Sequence, residues 1–127
     1  MKTRLNRGIW VTALMVWLGL IGVIIANELK TESQVTNPLA GRDDLVPKGK
    51  TFFNVHCSHC HGPNAVQGER KRDLRRLSRR YKERMPAVFY KTVINGRPTK
   101  GMPPWKGVLE DEKLWTIYTF LQTVQKK

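Results

Sequence analysis

The chain has 127 residues, with 23 lysines and arginines against 10 aspartates and glutamates, so its formal net charge at pH 7 is +13. This length leaves room for little more than one domain of ordinary size and excludes a large multidomain architecture. Charged residues make up 26% of the chain, which predicts that most of it is water-soluble, with one N-terminal segment as the exception.

That exception is residues 9–26, IWVTALMVWLGLIGVIIA, an 18-residue stretch without a charged side chain. This length is at the short end of what spans a bilayer and is longer than a typical signal-peptide core, so we predict a single transmembrane helix. A cleaved secretory signal is the alternative, but cleavage after Ala26 would place the bulky Ile24 where a small residue is usual.

Basic residues precede this segment at Lys2, Arg4 and Arg7, whereas the stretch that follows it is richer in glutamate. The positive-inside rule therefore predicts that residues 1–8 are cytoplasmic. The same rule places everything after Ala26 on the outer, periplasmic side of the cytoplasmic membrane. With either a retained or a cleaved segment, the C-terminal part of the chain works outside the cytoplasm.

Residues 27–45 are polar and contain the turn-forming Asn37 and Gly41, a composition typical of a linker. We therefore predict that the soluble domain occupies residues 46–127. A domain of this size is small for an unaided hydrophobic core, so a covalent cross-link or a buried cofactor would help it to fold.

Four helical segments and no convincing strand are predicted in this domain, which makes it all-α. The first helix begins near Pro47 and the third at Pro86, because proline is favoured in a first helical turn. The second lies within residues 69–83, and the third ends at Asn95 before a glycine. The last helix follows Glu110. Its apolar stripe consists of Leu114, Ile117, Tyr118, Leu121 and Val124.

Both cysteines of the chain lie in the stretch HCSHCHGPN, where Cys57, Cys60 and His61 form a C-x-x-C-H pattern. This pattern is typical of covalent haem attachment. Two thiols at this spacing can form thioethers with the two vinyl groups of one porphyrin, and the adjacent imidazole can bind the iron from one face. We therefore predict one covalently bound haem c, which would also supply the apolar surface that a small core needs.

Three other chemistries use closely spaced cysteines. A thioredoxin-like redox pair requires a βαβ setting, which an all-helical domain lacks. A structural zinc site requires four ligands, and no second Cys or His pair follows in the sequence. A structural disulfide is compatible with an exported domain, although a bridge across two intervening residues constrains little of the chain.

The second axial ligand of the iron is predicted to be Met102. It lies in KGMPPWKG, a loop that its prolines keep from being helical and that can hold a thioether over the iron. His/Met ligation is an arrangement that raises the reduction potential of haem iron. Met85, at a predicted helix start, is better placed to pack below Tyr81. His56 and His59 lie too close to the attachment motif to reach the opposite haem face, so we assign them surface or supporting positions.

From about residue 46 to its end, the chain resembles a class I c-type cytochrome. The resemblance rests on GKTFFNVHCSHCHGPN, DLRRL, NGRPTKGMPPWKG and a last helix ending YTFLQTV, so it covers the whole predicted soluble domain. It implies about four short helices around one haem, with the first and last helices crossing at right angles. Gly49 and Phe53 would then face Tyr118 and Leu121, and Gly49 would let two backbones approach closely.

Residues 69–84 depart from the usual pattern of that family, because they hold nine basic residues against three acidic ones. A solvated helix face is the simplest interpretation. A second interpretation is steering toward a redox partner with an acidic docking surface, and anionic membrane headgroups could compete for the same charge. Nucleic acid is not expected as a partner, because the domain is exported and the run lacks interleaved aromatic residues. The basic residues are Arg70, Lys71, Arg72, Arg75, Arg76, Arg79, Arg80, Lys82 and Arg84.

Together these features predict a membrane-anchored, mono-haem carrier of single electrons between respiratory-chain or dehydrogenase partners, such as a terminal oxidase or a quinol-oxidising complex. No catalytic acid, base or nucleophile is expected, so the protein is not predicted to be an enzyme. A fixed haem c subunit of a larger membrane oxidoreductase complex is the main alternative. A gas sensor or peroxidase would require the sixth ligand to leave, and the rigid GMPPW loop argues against it.

Overall fold

Five α-helices joined by short turns make up most of the regular structure of residues 35–126, the part of the chain that the computed structural model describes. The single 3₁₀ turns between or before them are Asp43–Leu45, Pro63–Ala65, Leu74–Arg76, Lys82–Arg84 and Pro98–Lys100. Over this range the only β-structure is an isolated bridge between Arg97 and Met102, so the all-α prediction is confirmed there. The helices are α1 (Val46–His56), α2 (Ser58–His61), α3 (Leu77–Tyr81), α4 (Met85–Asn95) and α5 (Asp111–Thr123).

The predicted transmembrane segment, residues 9–26, lies outside the described residues, as do residues 1–8 and the first part of the predicted linker. A search of the described residues finds no helix that is both long enough and apolar enough to cross a membrane.

Three of the four predicted helices form where the sequence signals place them. Pro47 lies in the first turn of α1 and Pro86 in the first turn of α4, where the missing proline N–H costs no helical hydrogen bond. Helix α4 ends at Asn95 because Gly96 adopts a φ of +66°, a conformation that few residues other than glycine accept readily. Helix α5 follows Glu110 and has acidic residues in its first turn, which favours its start.

The core forms where α1 packs against α5. A Cβ added to Gly49 would lie 2.1 Å from the Thr116 carbonyl oxygen, so only glycine allows this approach of the two backbones. Phe53 is fully buried, and its ring centroid lies 5.6 Å from that of Phe120. The resemblance had implied contacts with Tyr118 and Leu121. Both are buried in the core, but the closest approach at Gly49 involves Thr116 and Phe120.

Helix α5 is buried more completely than its sequence stripe indicates. All eight residues from Leu114 to Leu121 are buried, including Thr116 and Thr119. Both threonine hydroxyls donate to carbonyls one turn earlier within the helix, which satisfies them without solvent. On the α4 side, Tyr90 stacks on Trp115 with ring centroids 5.1 Å apart.

The predicted second helix, placed within residues 69–83, forms over only part of that range. Only α3 is α-helical, and a 3₁₀ turn flanks it on each side. The Asp73 carboxylate caps the first turn by accepting from the Arg75 backbone N–H, and Lys82 ends α3 with a φ of +48°. Closely spaced like charges also disfavour a continuous helix here. The apolar stripe is as predicted, because Leu74, Leu77 and Tyr81 all pack against the core.

Residues 35–45, the described part of the predicted linker, include side chains that pack on the helical core. The Asn37 side chain is buried at 7% exposure and donates to Thr119 Oγ1 at 3.4 Å and to Gln122 Oε1 at 3.2 Å, both on α5. Val35 and Leu39 also contact the core. Polar composition suggested a linker, but a buried amide whose hydrogen-bonding partners lie on a helix can belong to a packed interior.

Candidate functional site

The C-x-x-C-H motif occupies the junction between α1 and α2. Cys57 ends α1 with its N–H donating to the Phe53 carbonyl at 2.8 Å, and its own carbonyl accepts from the His61 N–H at 3.0 Å. Cys60 lies within α2, and both cysteines are free thiols, each partly buried. The structure therefore brings Cys57, Cys60 and His61 together on one helical turn, with the thiols unpaired.

The turn after the motif is held by side-chain hydrogen bonds on both sides. The Asn54 amide of α1 donates to Asn64 Oδ1 at 3.0 Å and accepts from the Asn64 backbone N–H at 2.8 Å. The Gln67 side chain donates to the Cys60 carbonyl at 3.2 Å. Gly62 has a φ of +75°, and a Cβ there would lie 2.1 Å from the Val66 carbonyl oxygen. These contacts hold the motif in one conformation.

The electrostatics of the thiols differ from those of a redox-active pair. Burial, with a smaller contribution from Cys60, raises the pKa of the Cys57 thiol to about 11. A thioredoxin-like site instead lowers the pKa of its attacking cysteine, so that a thiolate is present at neutral pH. Cys57 stays protonated at neutral pH, which argues against the redox-pair alternative. Among residues 35–126, no group of three or more His, Cys, Asp and Glu side chains is arranged to hold a metal ion.

The His61 ring is oriented by a backbone carbonyl. His61 Nδ1 lies 2.9 Å from the carbonyl oxygen of Arg72. Because a carbonyl oxygen only accepts, Nδ1 must donate, and the lone pair of the neutral ring is then on Nε2. Metal-binding histidines commonly donate their second nitrogen to a carbonyl in this way. The sequence did not indicate that the Arg72 carbonyl bonds to His61, since a backbone acceptor has no side-chain pattern by which it could be recognised.

Met102 lies in a loop whose backbone is pinned at several points. Arg97 and Met102 exchange two backbone hydrogen bonds, of 2.7 and 3.1 Å, which close the loop between them. A Cβ at Gly96 would lie 2.5 Å from the Pro104 nitrogen, so the two ends of the loop touch. The Trp105 N–H donates to the Val93 carbonyl of α4 at 3.0 Å. The rigid loop predicted from its prolines is present, and Met102 is partly exposed within it.

The Met102 loop also approaches the C-x-x-C-H motif. The His56 ring, one residue before Cys57, meets the Trp105 ring edge-on with centroids 6.0 Å apart. His56 is partly buried beside Trp105, and His59 is exposed. Met85 is 5% exposed and belongs to the hydrophobic core, as expected for a packing residue.

The basic residues of the segment 69–84 are arranged mainly toward solvent. Eight of the nine are exposed, and the ninth, Arg75, is partly buried against Asp73. Arg80 lies over the Tyr81 ring at 5.4 Å from its centroid, and Arg72 pairs with Glu69 at 3.2 Å. The remaining positive charge is free to interact with solvent or with an acidic partner.

Comparison with known proteins places the chain in a family. Residues 44–121 match the family described as cytochrome c oxidase, cbb3-type, subunit III. A curated relative, cytochrome c550 of Pseudomonas aeruginosa, is 30% identical over 103 residues, which cover 79% of this chain and 70% of the relative. No solved structure matches the chain significantly. The chain therefore belongs to the class I c-type cytochromes, electron-transfer proteins that bind covalently attached haem c.

Proposed function

We propose that the protein carries single electrons through one haem c attached at Cys57 and Cys60. The observation that carries this proposal is the free thiol pair on one helical turn beside a histidine whose Nδ1 is already hydrogen-bonded. Each thiol would hold the haem through a thioether, formed by addition of its S–H across one vinyl double bond. No external oxidant is consumed, and the protonated state of the Cys57 thiol fits this addition.

His61 Nε2 and Met102 Sδ would bind the haem iron. When bound, haem supplies a one-electron iron couple, and a thioether ligand raises its potential. The chain contributes rigidity, because the Arg72 carbonyl fixes the imidazole and the Arg97 bridge fixes the methionine loop. A site that keeps both ligands in both oxidation states has little to reorganise when the electron moves. Cys57 packs against the hydrophobic core, which shields this side of the motif from water.

We further propose that the exposed basic residues of segment 69–84 steer the protein toward a redox partner with an acidic docking surface, such as a terminal oxidase, a quinol-oxidising complex or a dehydrogenase. Clustered positive charge raises encounter rates in a manner that salt suppresses. Residues 9–26 are proposed to anchor the chain in the cytoplasmic membrane with the haem domain on the periplasmic side. Such a tether would keep encounters local.

A fixed subunit of a larger oxidoreductase complex is the second candidate, and the family match favours it, since that family is described as an oxidase subunit. Purification of the full chain in mild detergent distinguishes a free electron carrier from a fixed subunit of a complex. A lone haem protein supports the carrier, and further subunits in fixed stoichiometry support the complex.

Potentiometric titration followed by visible spectroscopy tests the electron-transfer proposal. We expect a reversible one-electron transition, low-spin spectra in both oxidation states, and no binding of carbon monoxide by the reduced protein. Rapid carbon monoxide binding would show that the sixth ligand leaves, and would favour a gas sensor or a peroxidase instead.

A further inference from the structure

Asp73 and Arg75 form an ion pair that is largely shielded from water. Arg75 Nε donates to Asp73 Oδ1 at 2.8 Å and Arg75 Nη2 donates to Asp73 Oδ2 at 2.9 Å, so the pair is bidentate. The Asp73 side chain is 6% exposed and that of Arg75 is 19% exposed. The Arg75 backbone N–H also donates to Asp73 Oδ1, at 3.0 Å. One carboxylate therefore fixes both the side chain and the backbone of residue 75.

This pair lies one peptide unit from the acceptor that orients His61. The carbonyl oxygen bonded to His61 Nδ1 belongs to Arg72, and its carbon is joined directly to the nitrogen of Asp73. The N–H groups of Arg72 and Asp73 both donate to the Glu69 carbonyl, at 2.9 and 3.1 Å. The turn that these two hydrogen bonds close thus fixes the N-terminal side of the Arg72–Asp73 peptide. The Asp73 carboxylate fixes the residues that follow.

Two further hydrogen bonds connect Arg75 to the C-x-x-C-H motif through Gln67. Arg75 Nη2 donates to the Gln67 carbonyl at 3.4 Å, and the Gln67 side chain donates to the Cys60 carbonyl at 3.2 Å. The same guanidinium therefore bonds to Asp73 and to a residue that holds the second cysteine of the motif.

The chain near its C-terminus supports the pair from the other side. The Lys126 N–H donates to the Arg75 carbonyl at 2.7 Å, and Lys126 Nζ lies 3.9 Å from Asp73 Oδ2. Gln125 Nε2 donates to the Leu74 carbonyl at 3.1 Å. Residues 73–75 are thus bonded to the segment that directly follows α5, the most buried helix of the described residues.

We propose that Asp73 and Arg75 are positioning residues that hold the Arg72 carbonyl against His61 and so keep the imidazole in a single orientation. This inference rests on the proposed role of His61 as an iron ligand. A carbonyl held firmly against Nδ1 keeps that proton in place and makes Nε2 a stronger donor to iron. If the pair is broken, residues 73–75 lose their anchor and the carbonyl can move away from the ring.

The chain offers a matched control for this test. Arg42 and Asp44 form another bidentate pair with the same two-residue spacing, with both bonds at 2.8 Å. Their side chains are 57% and 62% exposed, and they lie in and just before the Asp43–Leu45 turn. Asp44→Asn therefore removes an ion pair of the same spacing and bonding pattern, but an exposed one, from a position without a described link to His61.

The experiment follows the His61 Nδ1 proton of the reduced holoprotein by nitrogen-15-edited NMR in wild type, Asp73→Asn, Arg75→Gln and Asp44→Asn. Exchange of this proton with water requires its hydrogen bond to open. Loss of the pair should make exchange about fivefold faster, the change expected when roughly one hydrogen bond is lost. Both Asp73→Asn and Arg75→Gln should show it, although they change the net charge in opposite directions, and Asp44→Asn should not. Core amide protons of α5, such as that of Leu121, are followed in the same samples.

Three outcomes would overturn the inference. Unchanged His61 exchange in Asp73→Asn and Arg75→Gln would show that the carbonyl does not depend on the pair. Equal acceleration of His61 and of the α5 core amides would show only a general loss of stability. If the His61 ring protons lack the upfield shift that a haem ring current imposes on an axial ligand, the proposed ligation itself fails, and this result is distinguishable from the other two.

Discussion

Replacing Gly49 with alanine should lower the free energy of unfolding by about 2 kcal/mol. The new Cβ would lie 2.1 Å from the Thr116 carbonyl oxygen and 3.0 Å from Phe120 Cβ. Carbon and oxygen approach no closer than about 3.3 Å in ordinary packing, so α1 and α5 would have to separate by about 1 Å. Overpacking a core costs about 1–3 kcal/mol of stability. The upper end of this range applies because the clash involves the Thr116 backbone, which cannot rotate away as a side chain can. The better helix propensity of alanine returns about 1 kcal/mol.

Urea unfolding of the holoprotein, followed by far-ultraviolet circular dichroism, measures this loss. In thermal unfolding followed by the same signal, the melting temperature of a domain of this size should fall by about 10 °C. Gly68→Ala is the matched control, because a Cβ there meets no atom within 4 Å and the residue does not have the positive φ that strains alanine. If Gly49→Ala is as stable as Gly68→Ala and the wild type, then the α1–α5 contact is looser than described, and the reasoning from it fails.

Three further predictions concern the ligand loop, the basic segment and the buried carboxylate. Met102→Ala should abolish the weak sulfur-to-iron absorption at the red end of the oxidised spectrum and lower the reduction potential, whereas Met85→Ala should keep the band; the reverse pattern would refute the assignment. Arg76→Glu with Arg80→Glu should leave the haem spectrum intact but slow electron transfer to an acidic redox protein, and the difference from wild type should shrink as salt rises. A wild-type rate at low salt would mean that these charges face solvent and do not steer the encounter. Hydrogen bonds from Arg75 hold the pKa of Asp73 at about 2, below its ordinary 3.8. Because the pKa of Asp73 is lower in the folded state, this carboxylate contributes at most about 2 kcal/mol to the free energy of unfolding. The contribution is fully present above about pH 4 and is lost as the pH falls toward 2. Asp73→Asn should remove this part of the acid sensitivity, as measured by urea titrations at several pH values.

Helices α1, α4 and α5 could be predicted because their signals are local. Prolines at the starts of α1 and α4, glycine after α4 and acidic residues at the start of α5 act within one or two turns of chain. The C-x-x-C-H motif is likewise contiguous, so its three residues had to fall on one turn. The prolines of the Met102 loop indicated its rigidity, but not the backbone bridge to Arg97 that closes it.

The features that sequence analysis missed depend on contacts between distant parts of the chain. Asn37 looked like a linker residue because its partners on α5 are more than 80 positions away. The segment 69–83 looked helical from its apolar stripe, but Asp73 bonds locally to Arg75 and so competes with a helix. The Arg72 carbonyl could not be assigned to His61, since every residue carries a carbonyl and only the folded turn selects one.

Peptide mass spectrometry of the purified full chain shows whether haem is bound covalently at Cys57 and Cys60. Trypsin cleaves after Lys50 and Arg70, which releases residues 51–70 with both cysteines in a single peptide. We expect this peptide to carry the added mass of one haem after acid–acetone extraction, and Cys57→Ser with Cys60→Ser to remove it. A haem-free peptide with free thiols or a Cys57–Cys60 disulfide, from protein made in cells that mature c-type cytochromes, would show that haem is not attached there.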